Sequence, residues 1–179
     1  MERRVDYGRL LPRSDHATQV HGLYPQAGLN LRADLTLLTR TADVAPDLNA
    51  VSWLRRTSTL SGRLEMPVLT LHTTNDPLVP VQHEEEYAED VRQAGDSRLL
   101  RQAYVDHPGH CTFTVAEIVA AVETIQRRIE TGYWGASTAA ERMQALAESF
   151  GLGDAAFVRF HPGEFLADRP LPRQLRQAG

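Results

Sequence analysis

The chain has 179 residues, a single domain's length on a prior of roughly 100–200 residues per domain, and its 42% hydrophobic and 23% charged residues are typical of globular proteins. Acidic residues outnumber basic ones by 23 to 19, every basic residue is an arginine, and the net charge is −4. This balance argues against the basic surface of a nucleic-acid-binding protein, and no apolar run reaches the ~20 residues of a membrane span. We therefore expect neither a nucleic-acid partner nor a membrane partner.

Residues 1–62 are predicted to form a helical and irregular segment. Proline interrupts its short apolar stretches, as at Pro25, and proline resists helix continuation. Leucines recur at helical spacing over 29–41, which predicts a helix there. A second short helix follows, and either Asp47 or Asn49 is suited to cap it.

Residues 63–135 carry the clearest pattern in the chain. A continuous apolar run over 66–73 predicts a strand that is buried on both faces, as in parallel sheets. Turn residues at 75–77 separate it from a predicted helix over 81–94 and from a second predicted strand over 98–105. Because a strand, a helix and a strand in this order form a parallel pair, we expect an α/β fold with a short parallel sheet of two strands.

Helices are predicted to follow the second strand. Thr114 and Glu117 have the spacing of a capping box, and the helix that they open is predicted to end at Gly132. The apolar residues of this helix lie on one stripe: Ile118, Val122, Ile125 and Ile129. Residues 136–179 are predicted to form a last helix, opened by a capping box at Thr138, and a tail along the surface.

Two loops that follow the predicted strands hold the best candidates for catalysis. Asp76 follows the first strand and His110 follows the second. Catalytic groups of open α/β sheets gather beyond the carboxyl ends of strands, and an aspartate there can accept the Nδ1 proton of a histidine. Each residue alone is ordinary loop chemistry, but together they predict a general base and the acid that orients it. Asp106, close to His110 in sequence, is the alternative acid.

The residues around this pair extend both motifs. An apolar strand, Asp76 and then Val79-Pro80 form the first, and Gly109-His110 before a capped helix forms the second. Over about 70 residues, Met66 to Gly132, they resemble the acid and histidine loops in the C-terminal part of an α/β-hydrolase, a family whose triad order is serine, acid, histidine. The resemblance implies hydrolysis of a small-molecule ester, or of an amide, with His110 as base, Asp76 as its orienter and no cofactor. Residues 1–62 then correspond to a cap-like helical segment.

The nucleophile of this family is not found in the sequence. It stands on a Gly-x-Ser-x-Gly elbow, and no such motif occurs in the 179 residues. Ser137 is a partial match, but it follows the histidine, and we interpret it as a neighbour of a helix cap. The serines before the acid lack the flanking glycines: Ser14, Ser52, Ser58 and Ser61. We therefore expect the acid and base of an incomplete triad, and an isolated chain with negligible esterase activity.

The single cysteine, Cys111, is adjacent to His110 and has three interpretations. In the first interpretation it is a small buried residue behind the loop. Alternatively, a weaker resemblance to tannase- and feruloyl-esterase-like hydrolases implies a disulfide with a second cysteine beside the serine. In the third interpretation Cys111 is itself a nucleophile, but adjacent side chains on an extended loop point apart, so we expect His110 to be unable to activate it.

A metal centre is the rival chemistry for the same loop. His107, His110 and Cys111 are zinc-ligand types, and His72 or His83 could join them. Structural zinc sites use two ligand pairs at defined spacings, whereas one crude pair is visible here. The residues between His107 and His110 are better explained as a turn, so we expect no metal.

A different class of function also remains open. The chain could be a non-enzymatic remnant of a hydrolase that acts as a binding or subunit-association module. A two-stranded sheet exposes an edge that pairs readily with another chain, which predicts a homo-oligomer formed through that edge. The first residues carry no apolar signal sequence, which predicts a cytoplasmic location for the sequence as written, although a longer parent protein could be secreted.

Overall fold

The computed structural model describes residues 6–41, 47–58 and 60–163, except for the side chain of Arg55. The chain forms two compact units, and the second unit begins at Leu60. The N-terminal unit is helical, and the described strands all belong to the second unit. Within the described ranges, no helix combines the length and the apolar character that crossing a bilayer requires.

The helices of the N-terminal unit are short. Asp47 caps the last of them, because its Oδ1 accepts hydrogen bonds from the backbone N–H groups of Asn49 (2.8 Å) and Ala50 (2.9 Å). The helix predicted over 29–41 is confirmed as α3. In chain order the elements are α1 (Tyr7–Leu10), a single 3₁₀ turn (Leu11–Arg13), α2 (Ala17–Gln26), α3 (Leu31–Thr41) and α4 (Leu48–Ser58).

One interruption predicted in this unit is wrong. Pro25 was expected to break the chain into irregular pieces, but α2 includes it in its last turn. Pro25 has no N–H to donate to the carbonyl of His21, four residues earlier, and α2 ends one residue after Pro25. The chain closes the helix there with a hydrogen bond from the N–H of Ala27 to the carbonyl of Leu23.

The second unit alternates strands and helices. Its elements are β1 (Val68–Asn75), α5 (Gln82–Ala94), β2 (Leu100–Pro108), α6 (Val115–Thr131), α7 (Ala140–Ser149) and β3 (Phe157–Val158). The sheet order is β1-β2-β3. β1 and β2 are parallel, with Val68 opposite Leu100, and β3 is antiparallel to β2, with Val105 opposite Phe157.

The predicted α/β fold is confirmed, and one strand was not predicted. The parallel pair has the expected chain order, whereas β3 comes from the segment that was predicted to be a surface tail. With two residues, β3 is too short to give a periodic signal. The sheet is therefore mixed and three-stranded, and among the described residues β1 and β3 form its two edges.

The core lies between the sheet and helices α6 and α7. Val105 of β2 and Met143 of α7 are fully buried there. The small residues of α6, Ala116 and Ala120, allow that helix to pack closely, and Phe157 of β3 completes the cluster. The apolar face predicted for the last helix is confirmed, since Leu146 and Phe150 pack against the same cluster.

The apolar stripe of α6 is largely exposed: Ile118, Val122 and Ile129 are 48%, 55% and 67% exposed, whereas Ala116 and Ala120 occupy the buried face. One prediction about these helices is wrong: the capping box at Thr138 does not form. The chain makes a turn in which the N–H of Ala139 bonds the carbonyl of residue 136, so the last helix begins at residue 140 without a side-chain cap.

A glycine substitution tests the close approach between the segment before β1 and the backbone of α5. Gly62 has a φ of +70°, and a Cβ there would overlap the backbone of Asp90. Gly95 has a similar φ of +87° but open space around it. We expect Gly62→Ala to lower the free energy of unfolding by about 1–3 kcal/mol more than Gly95→Ala, measured by urea denaturation. Equal losses in the two variants would contradict this close approach.

Candidate active site

The first component of the site is the turn that follows β1. Asp76 begins this turn, and its Oδ1 accepts hydrogen bonds from the N–H groups of Leu78 (2.8 Å) and Val79 (2.9 Å). Aspartate is favoured at this position because its side chain can bond the backbone two or three residues ahead. The side chain is 3% exposed, so these bonds fix a buried carboxylate with its second oxygen, Oδ2, still available.

The second component is the loop that follows β2. Gly109 turns the chain with a φ of +105°, and a Cβ there would meet the side chain of Thr112 at 2.8 Å. Two hydrogen bonds tie this glycine to the end of β1: its N–H donates to the carbonyl of Asn75 (3.1 Å), and its carbonyl accepts from the hydroxyl of Thr73 (2.8 Å). The parallel pairing of the strands thus places His110 beside the turn that carries Asp76.

The two predicted residues are in direct contact. Nδ1 of His110 lies 2.7 Å from Oδ2 of Asp76. Burial acts to raise the pKa of Asp76, but hydrogen bonds from Val79, His110 and Leu78 outweigh it and lower the pKa from 3.8 to about 2. The carboxylate is therefore ionised at neutral pH and accepts a hydrogen bond from the Nδ1–H of His110, which leaves the lone pair of Nε2 on the opposite side of the ring.

Cys111 contacts the other nitrogen of the ring. Its Sγ lies 3.5 Å from Nε2 of His110, and the residue is exposed. The expectation that adjacent side chains point apart is wrong here because the loop is not extended: Cys111 has a φ of +54°, in the left-handed region. The interpretation of Cys111 as a buried residue is also wrong.

The alternative acid lies elsewhere. Oδ1 of Asp106 accepts hydrogen bonds from the hydroxyl of Thr74 (3.0 Å) and from the side-chain amide of Asn75 (3.3 Å). Asp106 is exposed, and these contacts hold it at the end of β1. The structure therefore brings Asp76, and not Asp106, to His110.

A second acid–histidine pair supports the same loop, and sequence reasoning missed it. Glu117 is fully buried, and its Oε1 lies 2.8 Å from Nε2 of His107 and accepts the N–H of Ala156 (2.8 Å). Its Oε2 accepts the N–H of Thr114 at 2.9 Å, which completes the predicted capping box. One carboxylate thus joins the end of β2, the start of α6 and the segment before β3. The sequence signalled the capping box, but not the tertiary contacts.

The proposed metal ligands do not converge within the described part of the chain, which holds no group of three or more histidine, cysteine, aspartate or glutamate side chains arranged for a metal ion. His107 bonds Glu117, and Nδ1 of His72 lies 2.8 Å from the carbonyl of Thr73.

The partial match to the nucleophile motif, Ser137, lies in the turn before the last helix. Its hydroxyl donates a hydrogen bond to the carbonyl of Trp134.

Comparison with known proteins finds a similarity to an amidase. The chain is 32% identical over 155 residues to the o-phthalyl amidase of Xanthobacter agilis. The match covers 85% of this chain but 34% of the amidase, so the chain spans about a third of that relative's length. No family model matches the sequence, and no solved structure matches it.

The low pKa of Asp76 predicts a specific pH dependence of stability. Because folding lowers this pKa from 3.8 to about 2, the ionised carboxylate stabilises the folded chain fully above pH 3.8, and the contribution is lost as the pH falls through about 2. Asp76→Asn has no such group. We expect the difference in free energy of unfolding between the two proteins to shrink across this range, measured by urea denaturation at each pH. A constant difference would contradict the assignment.

Proposed function

We propose that this chain is the C-terminal part of an α/β-hydrolase of the serine type, and that it supplies the acid and the base of the triad. Asp76 is the acid and His110 is the general base. The observation that carries the proposal is the 2.7 Å contact between Oδ2 of Asp76 and Nδ1 of His110, formed by the loops at the carboxyl ends of two parallel strands. The similarity to an amidase supports the same reaction class.

The geometry suits His110 to move a proton in either direction. Nε2 of His110 accepts the proton of the attacking hydroxyl, and the imidazolium is stabilised by the carboxylate of Asp76. The same nitrogen then gives the proton to the leaving amine or alcohol. An amide requires this second step more than an ester does, because an amine is a poor leaving group until it is protonated.

The nucleophile in this scheme comes from outside the 179 residues, which contain no Gly-x-Ser-x-Gly motif. About two-thirds of the length of the similar amidase lies outside the matched region, which leaves room for a serine elbow. The family's order requires that elbow to precede Asp76. The relative is named for o-phthalyl amides, so we propose an aromatic amide of this class as the first substrate to test, ahead of simple esters.

The first experiment is to read the coding DNA upstream of Met1 in all frames for Gly-x-Ser-x-Gly. The polypeptide that joins such a segment to this chain is expected to hydrolyse an o-phthalyl amide. His110→Gln and Asp76→Asn should each lower its kcat by about 10²–10⁴, the usual size of a general-base contribution.

Asp106→Asn is the matched control in the same polypeptide. It removes a nearby carboxylate that bonds Thr74 and Asn75, so we expect less than about a tenfold change in kcat. The isolated chain should show no turnover of the amide. The absence of an upstream elbow would overturn the proposal, and turnover by the isolated chain that disappears in His110→Ala would overturn its inactivity.

A second candidate function is subunit association, and two exposed features favour it. The stripe on α6 presents branched apolar side chains to solvent, and among the described residues no strand pairs with the outer edge of β1. Apolar helix faces and open strand edges are sites at which chains associate. We propose that a second copy of this chain covers them when the rest of the hydrolase is absent.

Association is tested by light scattering after size-exclusion chromatography. We expect a dimer or larger species, and we expect Val122→Arg to raise the monomer fraction because it places a charge within the apolar stripe. Glu123→Arg, also exposed on α6, is the control and should leave the distribution unchanged. A monomeric wild-type chain with a sharply cooperative, concentration-independent melt would contradict this function.

A further inference from the structure

Cys111 completes a hydrogen-bonded series of nucleophile, base and acid within this chain. We propose that Cys111 is a thiol activated by His110, and that it accepts an acyl group from activated esters and an alkyl group from soft electrophiles. The inference rests on the proposed role of His110 as a general base, but it needs no serine from another part of the protein.

The series can be followed atom by atom from the buried end. Oδ1 of Asp76 is occupied by two backbone N–H groups, so Oδ2 is the oxygen that accepts the Nδ1 proton of His110. This bond fixes the tautomer in which Nε2 carries a lone pair. Sγ of Cys111 lies 3.5 Å from that nitrogen, and its S–H is the donor toward it.

The loop holds this arrangement in place. The left-handed backbone of Cys111, with a φ of +54°, turns the side chain back over the ring of the preceding residue. Gly109, the residue before His110, is hydrogen-bonded to the end of β1 through both its N–H and its carbonyl. The imidazole is 43% exposed and Cys111 is also exposed, so a small electrophile can reach the sulfur from solvent.

The acyl transfer proceeds as follows for an aryl ester. Nε2 of His110 takes the proton of the thiol while Sγ of Cys111 forms a bond to the ester carbonyl carbon. The bond from that carbon to the phenolate oxygen then breaks, and the phenolate leaves with the electron pair and takes the proton from the imidazolium. The products are a thioester on Cys111, a free phenol and a neutral His110, so no oxidant or reductant is needed.

The experiment uses the full 179-residue chain and 4-nitrophenyl acetate. We expect release of one equivalent of 4-nitrophenol per chain and a single acetyl group, located by peptide mass spectrometry on the peptide that contains Cys111. Cys111→Ser should lose both signals. An acetyl group found on another residue, with Cys111 unmodified, would overturn the proposal.

The rate of alkylation by iodoacetamide separates an activated thiol from one that is merely exposed. At pH 7 the folded chain should react at least about tenfold faster than His110→Gln, and faster than the same chain unfolded in urea, because general-base assistance is lost in both cases. Asp76→Asn preserves the side-chain volume but removes the carboxylate that fixes the tautomer of His110. It should therefore also slow the reaction. Asp106→Asn is the control: it removes a nearby carboxylate that does not contact His110, and its rate should match the wild type.

Equal rates for the wild type and His110→Gln would overturn the inference, and circular dichroism of each variant establishes that the compared chains are folded. The two proposals fail separately. A joined polypeptide without amidase activity overturns the hydrolase assignment, while rapid alkylation of Cys111 that depends on His110 would still support the inference.

Discussion

The hydrogen bond between Asp76 and His110 is the constraint on which the candidate site depends. It spans 2.7 Å between two loops that are 34 residues apart in sequence, and it forms because β1 and β2 are adjacent and parallel. Hydrogen bonds between Gly109 and the end of β1 align the two loops independently of the side chains of Asp76 and His110. The sheet thus fixes the backbone, and the carboxylate fixes the ring.

The buried carboxylate of Glu117 gives this arrangement its rigidity. It lies within hydrogen-bond distance of groups from the end of β2, the start of α6 and the segment before β3. A buried polar group left without its partner costs about 1–3 kcal/mol, so each of these contacts resists separation of the elements that it joins. His107 therefore holds one end of the loop, and His110, the proposed general base, lies at the other end.

The pattern of apolar residues predicted the main elements of the second unit, but the burial of each helix face was decided by packing. A run of branched residues marks α6 as amphipathic, but the helix buries its small side, where Ala116 and Ala120 permit close packing on the sheet. An apolar stripe normally faces a core, and α6 departs from that rule among the described residues, since its alanines are buried and its branched residues are largely exposed. The two-residue β3 escaped prediction for a related reason, since its pairing with β2 depends on tertiary contacts.

The sequence by itself determined the α/β order of the second unit and the positions of Asp76 and His110 after its two parallel strands. These are local properties, because turn residues, capping boxes and continuous apolar runs act over a few positions. Tertiary structure alone decided that Asp76 rather than Asp106 contacts the histidine, and that Glu117 joins three elements. It also decided the place of Cys111, because the left-handed turn that brings its sulfur to Nε2 is a backbone conformation that residue order does not specify.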